Sequence, residues 1–233
     1  MVNGIKIEVV VNNRIDDAIT AAKHEVDRFE LVSAIELGGC TPNLGVLKLM
    51  KEKTTQEIVC MNRPRGGDFV YSDGEFEEMM IDAKDMIEAG ADGIVFGFLN
   101  KDNSVDKEKT KAMIDLIHSY GKEAIFHKAS DMTADIKEAT RLLIDLGIDR
   151  IMTNGQAKAE DLSDGCAVMK ELAKEFGDKV QFLFGGGIRE GNIKRVLEAA
   201  NAKQVHMTSK MKSEKGYICL DEPQLERILN NLK

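Results

Sequence analysis

Short runs rich in β-branched residues alternate with longer amphipathic stretches from one end of the chain to the other. The short runs are Ile5 to Val11, Asp27 to Val32, Glu57 to Asn62, Gly93 to Leu99, Glu123 to Lys128, Arg150 to Thr153, Val180 to Phe184 and Lys203 to Thr208. Their length and composition predict strands. Between them, Phe76, Met79, Met80, Ala83, Met86 and Ile87 recur at the spacing of one helical stripe. Ser72 and Glu75 stand ahead of that stripe as a capping box, and Gly90 closes it. The same reasoning predicts helices over Met113 to Tyr120, Ile136 to Leu146 and Leu225 to Leu232. Weaker amphipathic signals cover Asp16 to His24, Leu44 to Lys53, Cys166 to Phe176 and Asn192 to Ala199.

Strands alternating with helices predict parallel βαβ units. An aspartate marks the handover from helix to strand in Val26-Asp27-Arg28-Phe29, Ala91-Asp92-Gly93-Ile94 and Ile148-Asp149-Arg150-Ile151, about two units apart each time. Self-similarity on that scale in 233 residues favours an α/β fold, a single (βα)8 TIM-type barrel over residues 1–233, rather than an open doubly wound sheet. No linker rich in Pro, Ser or charge divides the chain.

Functional groups of such a barrel lie at the C-terminal ends of its strands. By the two-residue side-chain period, Lys6, Glu8 and Val10 share one face of the first strand, and Arg28, Glu30 and Val32 one face of the second. Ile5, Ile7, Val9 and Val11 form the apolar face that meets the helices. Glu8 and Glu30 then point into the barrel, where a carboxylate needs a partner or a shifted pKa. They are either an acid/base or ligand-holding pair, or part of a buried ion network with Lys6, Arg28 and Arg63.

Three further segments offer chemistry. Arg63-Pro-Arg65-Gly-Gly-Asp68 can present two guanidinium forks and bare backbone donors to a carboxylate or phosphate, or can brace its own loop through an Arg–Asp pair. In Phe126-His127-Lys128-Ala-Ser130-Asp131, His127 is a candidate general acid/base tuned by Asp131, or a structural histidine. Gly185-Gly186-Gly187-Ile-Arg189 precedes a helix, where backbone N–H groups can approach an anion; a ligand-free tight turn would use the same glycines. Asn154 and Gly155 after the sixth strand, and His206 and Ser209 near the eighth, complete a polar rim.

Charge narrows the partners. Lys and Arg total 32 against 40 for Asp and Glu, a net charge of −8. That balance argues against a grip on nucleic acid or anionic membrane and leaves small molecules and proteins. No stretch approaches the roughly 18 apolar residues of a membrane span, and Met1 to Glu8 lack the apolar core of a signal peptide. Cys40, Cys60, Cys166 and Cys219 are too scattered for a zinc ribbon or a disulfide scaffold, which fits a reducing, cytoplasmic setting. Cys60 and Met61 are adjacent on a strand and face opposite sides, so they cannot chelate one ion together, and most of the 12 methionines lie on helical stripes as core filler. The residues themselves therefore predict no metal ligands.

Taken together, Arg28-Phe-Glu30-Leu31, Gly38-Gly-Cys-Thr-Pro-Asn-Leu-Gly-Val-Leu47, Arg63-Pro-Arg-Gly-Gly-Asp-Phe-Val-Tyr-Ser-Asp73, Phe126-His127 with Asp131, and Gly185-Gly-Gly-Ile-Arg189 resemble the CutC family of copper homeostasis proteins. The resemblance runs from the first strand to the eighth. It implies a TIM-type barrel, a cytoplasmic location, a homo-oligomer and Cu(I) as the bound metal. In the family, copper binding is attributed to two cysteines at the ends of strands one and two; those positions here are Val10 and Val32, so that ligand set does not carry over. Lys128 and Ser130 replace the Arg and Phe usual in the family, and the segment from Lys210 to Asp221 looks shorter than usual.

Two functions of different classes follow. Family resemblance implies a cytoplasmic copper-homeostasis protein that binds or buffers Cu(I). The residues favour an enzyme or sensor for a small anionic metabolite. In that second reading Arg63, Arg65, Asp68, Asn154, Gly186, Gly187, Arg189 and His206 hold the ligand, and the proton movers are sought among Glu8, Glu30, His127 and Asp131. Isomerisation, aldol-type cleavage and hydrolysis all suit such a mouth.

Overall fold

The computed structural model describes residues 1–159 and 162–233. The β-branched runs pair as β1 (Lys6–Asn12), β2 (Arg28–Val32), β3 (Glu57–Met61), β4 (Gly93–Phe96), β5 (Glu123–Phe126), β6 (Arg150–Thr153), β7 (Gln181–Phe184) and β8 (Gln204–Met207). All eight are parallel, neighbours in sequence are neighbours in space, and β8 pairs with β1 to close the barrel. This is the single (βα)8 TIM barrel. Around it lie α1 (Ile15–Ala21), α2 (Leu44–Lys53), α3 (Asp73–Glu88), α4 (Lys107–Ser119), α5 (Ile136–Leu146), α6 (Cys166–Phe176), α7 (Ile193–Ala200) and α8 (Glu222–Asn230).

The repeated aspartates have a shared physical task. Asp27 accepts from the Ile7 amide, Asp92 from the Ile58 amide and Asp149 from the Ala124 amide, each at 2.8 Å. Each aspartate thus leads one strand and satisfies a backbone donor near the start of the strand before it. A buried donor left unpaired there costs about 1–3 kcal/mol, which explains the placement on β1/β2, β3/β4 and β5/β6.

Strand alternation divides the side chains as the pattern implies. Ile7, Val9, Val11, Phe29, Leu31, Ile58 and Cys60 pack outward in the large core under the helices. Val10, Val32, Val59, Met61, Val95 and Ile125 form a separate apolar cluster inside the barrel. The predicted capping box is present: Ser72 Oγ accepts from the Glu75 amide and the Glu75 carboxylate from the Ser72 amide.

Several boundaries differ from expectation, and one hairpin was not expected at all. The fifth strand stops at Phe126 because the His127 ring accepts from the Ala129 amide and starts a 3-10 turn over Lys128–Met132. The fourth helix begins at Lys107, ahead of its apolar stripe, because Asp106 caps the Lys109 amide. A hairpin of β9 (Lys210–Lys212) and β10 (Ile218–Leu220) follows β8 in the segment that looked merely short; its strands bury no residue fully and carry no alternation to reveal them.

Candidate functional site

Inward-facing residues of the strands form a polar plug at the N-terminal end of the barrel. Arg28, with no exposed surface, donates to Glu8 and to Gln204 and lies 3.5 Å from Glu57. Lys6 also reaches Glu57, at 2.6 Å, and Arg150 reaches Glu123 at 2.7 Å. The ion network foreseen for the barrel centre is therefore real, with one correction: Arg63 is not in it. Glu57, Glu123 and Arg150 supply the charges instead.

Above this plug, Glu8 and Glu30 converge on His206. The ring Nδ1 lies 2.7 Å from Glu8 Oε1 and the Nε2 lies 3.7 Å from Glu30 Oε2. Burial would raise both carboxyls, yet they diverge. In Glu8 the Arg28 charge, with the His206 hydrogen bond, overcomes burial and brings the pKa to about 2. Glu30 has no guanidinium contact, its Oε1 has no partner, and burial pushes its pKa to about 7. His206 is raised as well: burial opposes its charge, but Glu30 and Glu8 outweigh that. Glu8 thus remains a carboxylate near neutral pH and acts as a positioning residue for the imidazole. Glu8, expected as a proton mover, is instead held in its charged form by Arg28, while Glu30 and His206 are both raised above their ordinary values.

His127 and Asp131 do not form a pair. His127 Nδ1 is occupied by the Ala129 amide, its ring packs 4.6 Å from the Phe69 ring, and its Nε2 is buried without a partner. Burial, reinforced by the Arg63 charge, drives its pKa down to about 3. A histidine neutral at physiological pH on both counts is no general acid. Asp131 points elsewhere, accepting from the Thr153 hydroxyl and from the amides of Asn154 and Gln156. Burial raises its pKa despite those donors. It staples the turn after β6.

The arginines after β3 are also committed within the protein. Arg63 donates to the carbonyls of Leu37, Gly39 and Gly67. Arg65 meets Glu75 at 2.5 Å and Asp68 at 3.2 Å, and its Nη2 donates to the Val70 carbonyl. Arg63, Arg65 and Asp68 brace their loop, so the expected anion forks are not available there.

The β6 and β7 ends are different. Asn154, Ala157, Lys158, Ala159, Leu162, Gly186, Gly187 and Arg189 line a cavity of about 500 Å³. Gly186 and Gly187 have φ of +83° and +140°, a left-handed pair that a side chain would strain. Among the described residues, the amides of Gly186, Gly187 and Ile188 donate to no acceptor, while the flanking amides of Gly185 and Arg189 are paired. Asn154 is 7% exposed; its Oδ1 accepts from the Ala157 amide and its Nδ2 donates to nothing described. These donors come from the turn alone, since α7 begins only at Ile193 and its N-terminus takes no part. Beside the cavity wall, Gly185 leaves room for His206, whose Cβ would lie 2.7 Å from a Cβ there. Of the residues expected to hold a ligand, Asn154, Gly186, Gly187 and Arg189 line this one cavity. Sequence reasoning missed Lys158, whose exposed loop position carries no pattern.

The sequence model of the CutC family matches residues 5–211. The chain belongs to the CutC family. A CutC protein of Treponema denticola is 38% identical over 210 residues, covering 90% of this chain and 83% of that one. The human protein named copper homeostasis protein cutC homolog is 35% identical over 214 residues, 92% of this chain and 77% of its own. Among solved structures, CutC of Streptococcus agalactiae superposes with a TM-score of 0.80 at 29% identity, covering 87% of this chain and 97% of that one.

Copper implied by the family can be tested against the residues present. Cu(I) is soft and is held by thiolates and thioethers. Val10 and Val32 lie in the apolar cluster inside the barrel, with Met61 its lone sulfur. Cys60 faces the helices, and burial pushes its thiol pKa upward. Among the described residues, two groups lie close enough to share an ion, Glu8–Glu30–His206 and His24–Glu222–Glu226, and neither contains sulfur. In the first, Arg28 already neutralises Glu8. Among the described residues, no group of ligating side chains close enough to share one ion contains a cysteine, so the residues present do not fit the thiolate site that the family implies.

Proposed function

We propose that this CutC protein binds a small anionic metabolite at the rim between β6 and β7 and acts on it as an enzyme or sensor, with Glu30 and His206 holding the mobile proton. The observation that carries the reading is the run of amides with no acceptor among the described residues, Gly186 to Ile188, at a turn whose two glycines line a cavity together with Asn154 and Arg189. Such concave runs of backbone N–H groups bind anions. Glu30, with a pKa of about 7, has the proton affinity that acid/base chemistry near neutral pH requires, and the adjacent His206 is raised above its ordinary value by Glu30 and Glu8 against the cost of its burial.

The copper-homeostasis association in the human relative's name enters this reading as a physiological setting, with the metabolite rather than a thiolate site as the link. Four free cysteines suit a reducing cytoplasm, and a homo-oligomer is part of the proposal. A thermal-shift screen of phosphate- and carboxylate-bearing metabolites tests it, because a ligand raises Tm in proportion to its occupancy. Hits are expected with the parent protein and with Arg65→Ala, and are expected to vanish with Arg189→Ala or Asn154→Ala. Hits indifferent to Arg189 and Asn154, or lost with Arg65→Ala at matched folding, would contradict the reading.

A further inference from the structure

Lys128 opens the 3-10 turn after β5, and its backbone is fixed by the His127 ring that receives the next amide. Its side chain runs across to β7 and lies flat on Gly186. A Cβ at Gly186 would sit 2.6 Å from Lys128 Cε and 2.9 Å from Nζ, so the lysine occupies room that only glycine leaves. Among the described residues the Lys128 ammonium forms no hydrogen bond or ion pair. The acid beside it, Asp131, feels its charge but gives its own oxygens to Thr153, Asn154 and Gln156. Lys158 and Arg189, on the walls of the adjoining cavity, also lack a carboxylate partner among the described residues. Among the described residues none of the three meets a carboxylate, although Arg189 Nη1 donates to the Ile188 carbonyl at 2.7 Å, and their grouping at one turn stands out in a chain of net charge −8.

We propose that the rim site is selective for a phosphate monoester, and that Lys128 is the residue that reads its second negative charge. This rests on the anion-binding reading above and sharpens it. Three consecutive backbone amides, the Asn154 side-chain Nδ2 and the Lys128 ammonium form a donor set larger than the two oxygens of a carboxylate can fill. A phosphate monoester offers three acceptor oxygens and about −1.5 to −2 charges at pH 7. Lys128 approaches from β5 and Arg189 from β7, so the dianion is clamped from two sides. Lysine serves here as a point charge that needs no fixed fork, which fits an ammonium held by packing on Gly186.

Calorimetric titration with inorganic phosphate and, separately, acetate at constant low ionic strength tests the assignment in the parent protein, Lys128→Met and Lys128→Arg. Phosphate is expected to bind the parent protein saturably and to tighten as pH rises and the probe gains its second charge. Lys128→Met should weaken phosphate at least tenfold and leave acetate unchanged, while Lys128→Arg should stay within a few-fold of the parent. Circular dichroism and Tm confirm that the variants are folded, and Gly186→Ala, which displaces the lysine, should reproduce the loss. Phosphate affinity unchanged in Lys128→Met, or acetate binding as tightly as phosphate, would overturn the phosphate assignment and leave the anion site standing. Failure of both probes to bind the parent protein would overturn the assignment together with the anion reading.

Discussion

His206 Nδ1 lies 2.7 Å from Glu8 Oε1, and the other oxygen of the same carboxylate is held by Arg28. That chain of contacts fixes the orientation of the imidazole and turns its Nε2 toward Glu30. Two carboxyls on neighbouring strands thereby acquire opposite proton affinities, about 2 for Glu8 and about 7 for Glu30.

A pH dependence of stability follows. Glu30 has a folded pKa above its ordinary value of 4.5, so the folded state binds more protons than the unfolded one between about 4.5 and 7. Stability therefore falls as pH rises through that window. The raised pKa of His206 acts in the same direction at the upper end, because its contribution is lost as pH rises through its folded value. Glu8, depressed to about 2, contributes in the opposite sense: its stabilisation is complete above about 4.5 and disappears as pH falls toward 2. Urea denaturation across pH 4.5 to 7.5 should show the decline, and Glu30→Gln should flatten it. A parent protein with pH-independent stability in this range would contradict the assignment.

Removing Arg28 leaves Glu8 charged and buried without its guanidinium. Arg28→Met is expected to cost about 3–5 kcal/mol, the range for breaking a buried pair on one side. Glu8→Gln introduced into that variant should recover part of the loss. A strictly additive double variant, read by urea denaturation, would show that the two side chains are not coupled.

Gly97 shows how closely the mouth is packed. A Cβ there would lie 2.5 Å from His127 Cε1 and 2.8 Å from Ala129 Cβ. Gly97→Ala should destabilise by about 1–3 kcal/mol through overpacking, and a smaller side chain at position 127 should relieve much of it. A neutral effect on Tm would mean that the ring moves freely, against the fixed role given to His127.

The architecture was legible from periodicity, and the aspartates at 27, 92 and 149 announced its repeat, but the hydrogen bond each makes was not legible, because its amide partner lies 20 to 34 residues away. Inward placement of Glu8 and Glu30 was equally legible from strand alternation. Which arginine would neutralise which carboxylate was not, because Arg28 and Arg63 look alike in sequence while one meets a carboxylate and the other three carbonyls. His127 and Asp131 lie four residues apart, yet the 3-10 turn sends them to different partners. Lys128 was noticed only as a departure from the family; its contact with Gly186 joins two distant segments and leaves no local trace.

Copper binding is decided by sulfur placement. An anaerobic Cu(I) titration against a competing chelator should reveal no tight stoichiometric site in the parent protein. Val10→Cys together with Val32→Cys, restoring thiols on two adjacent strands, should create one. A tight site in the parent protein that survives Cys40→Ser and Cys60→Ser would show that copper is held by ligands other than those cysteines.

Amide chemical-shift mapping on the isotopically labelled protein during phosphate titration tests the central claim most directly. The account predicts saturable shifts at the amides of Gly186, Gly187 and Ile188 and at the Asn154 side chain, with the Arg65 to Asp68 loop silent. Shifts centred on Arg65 to Asp68, or none at the β7 turn at saturating phosphate, would contradict it.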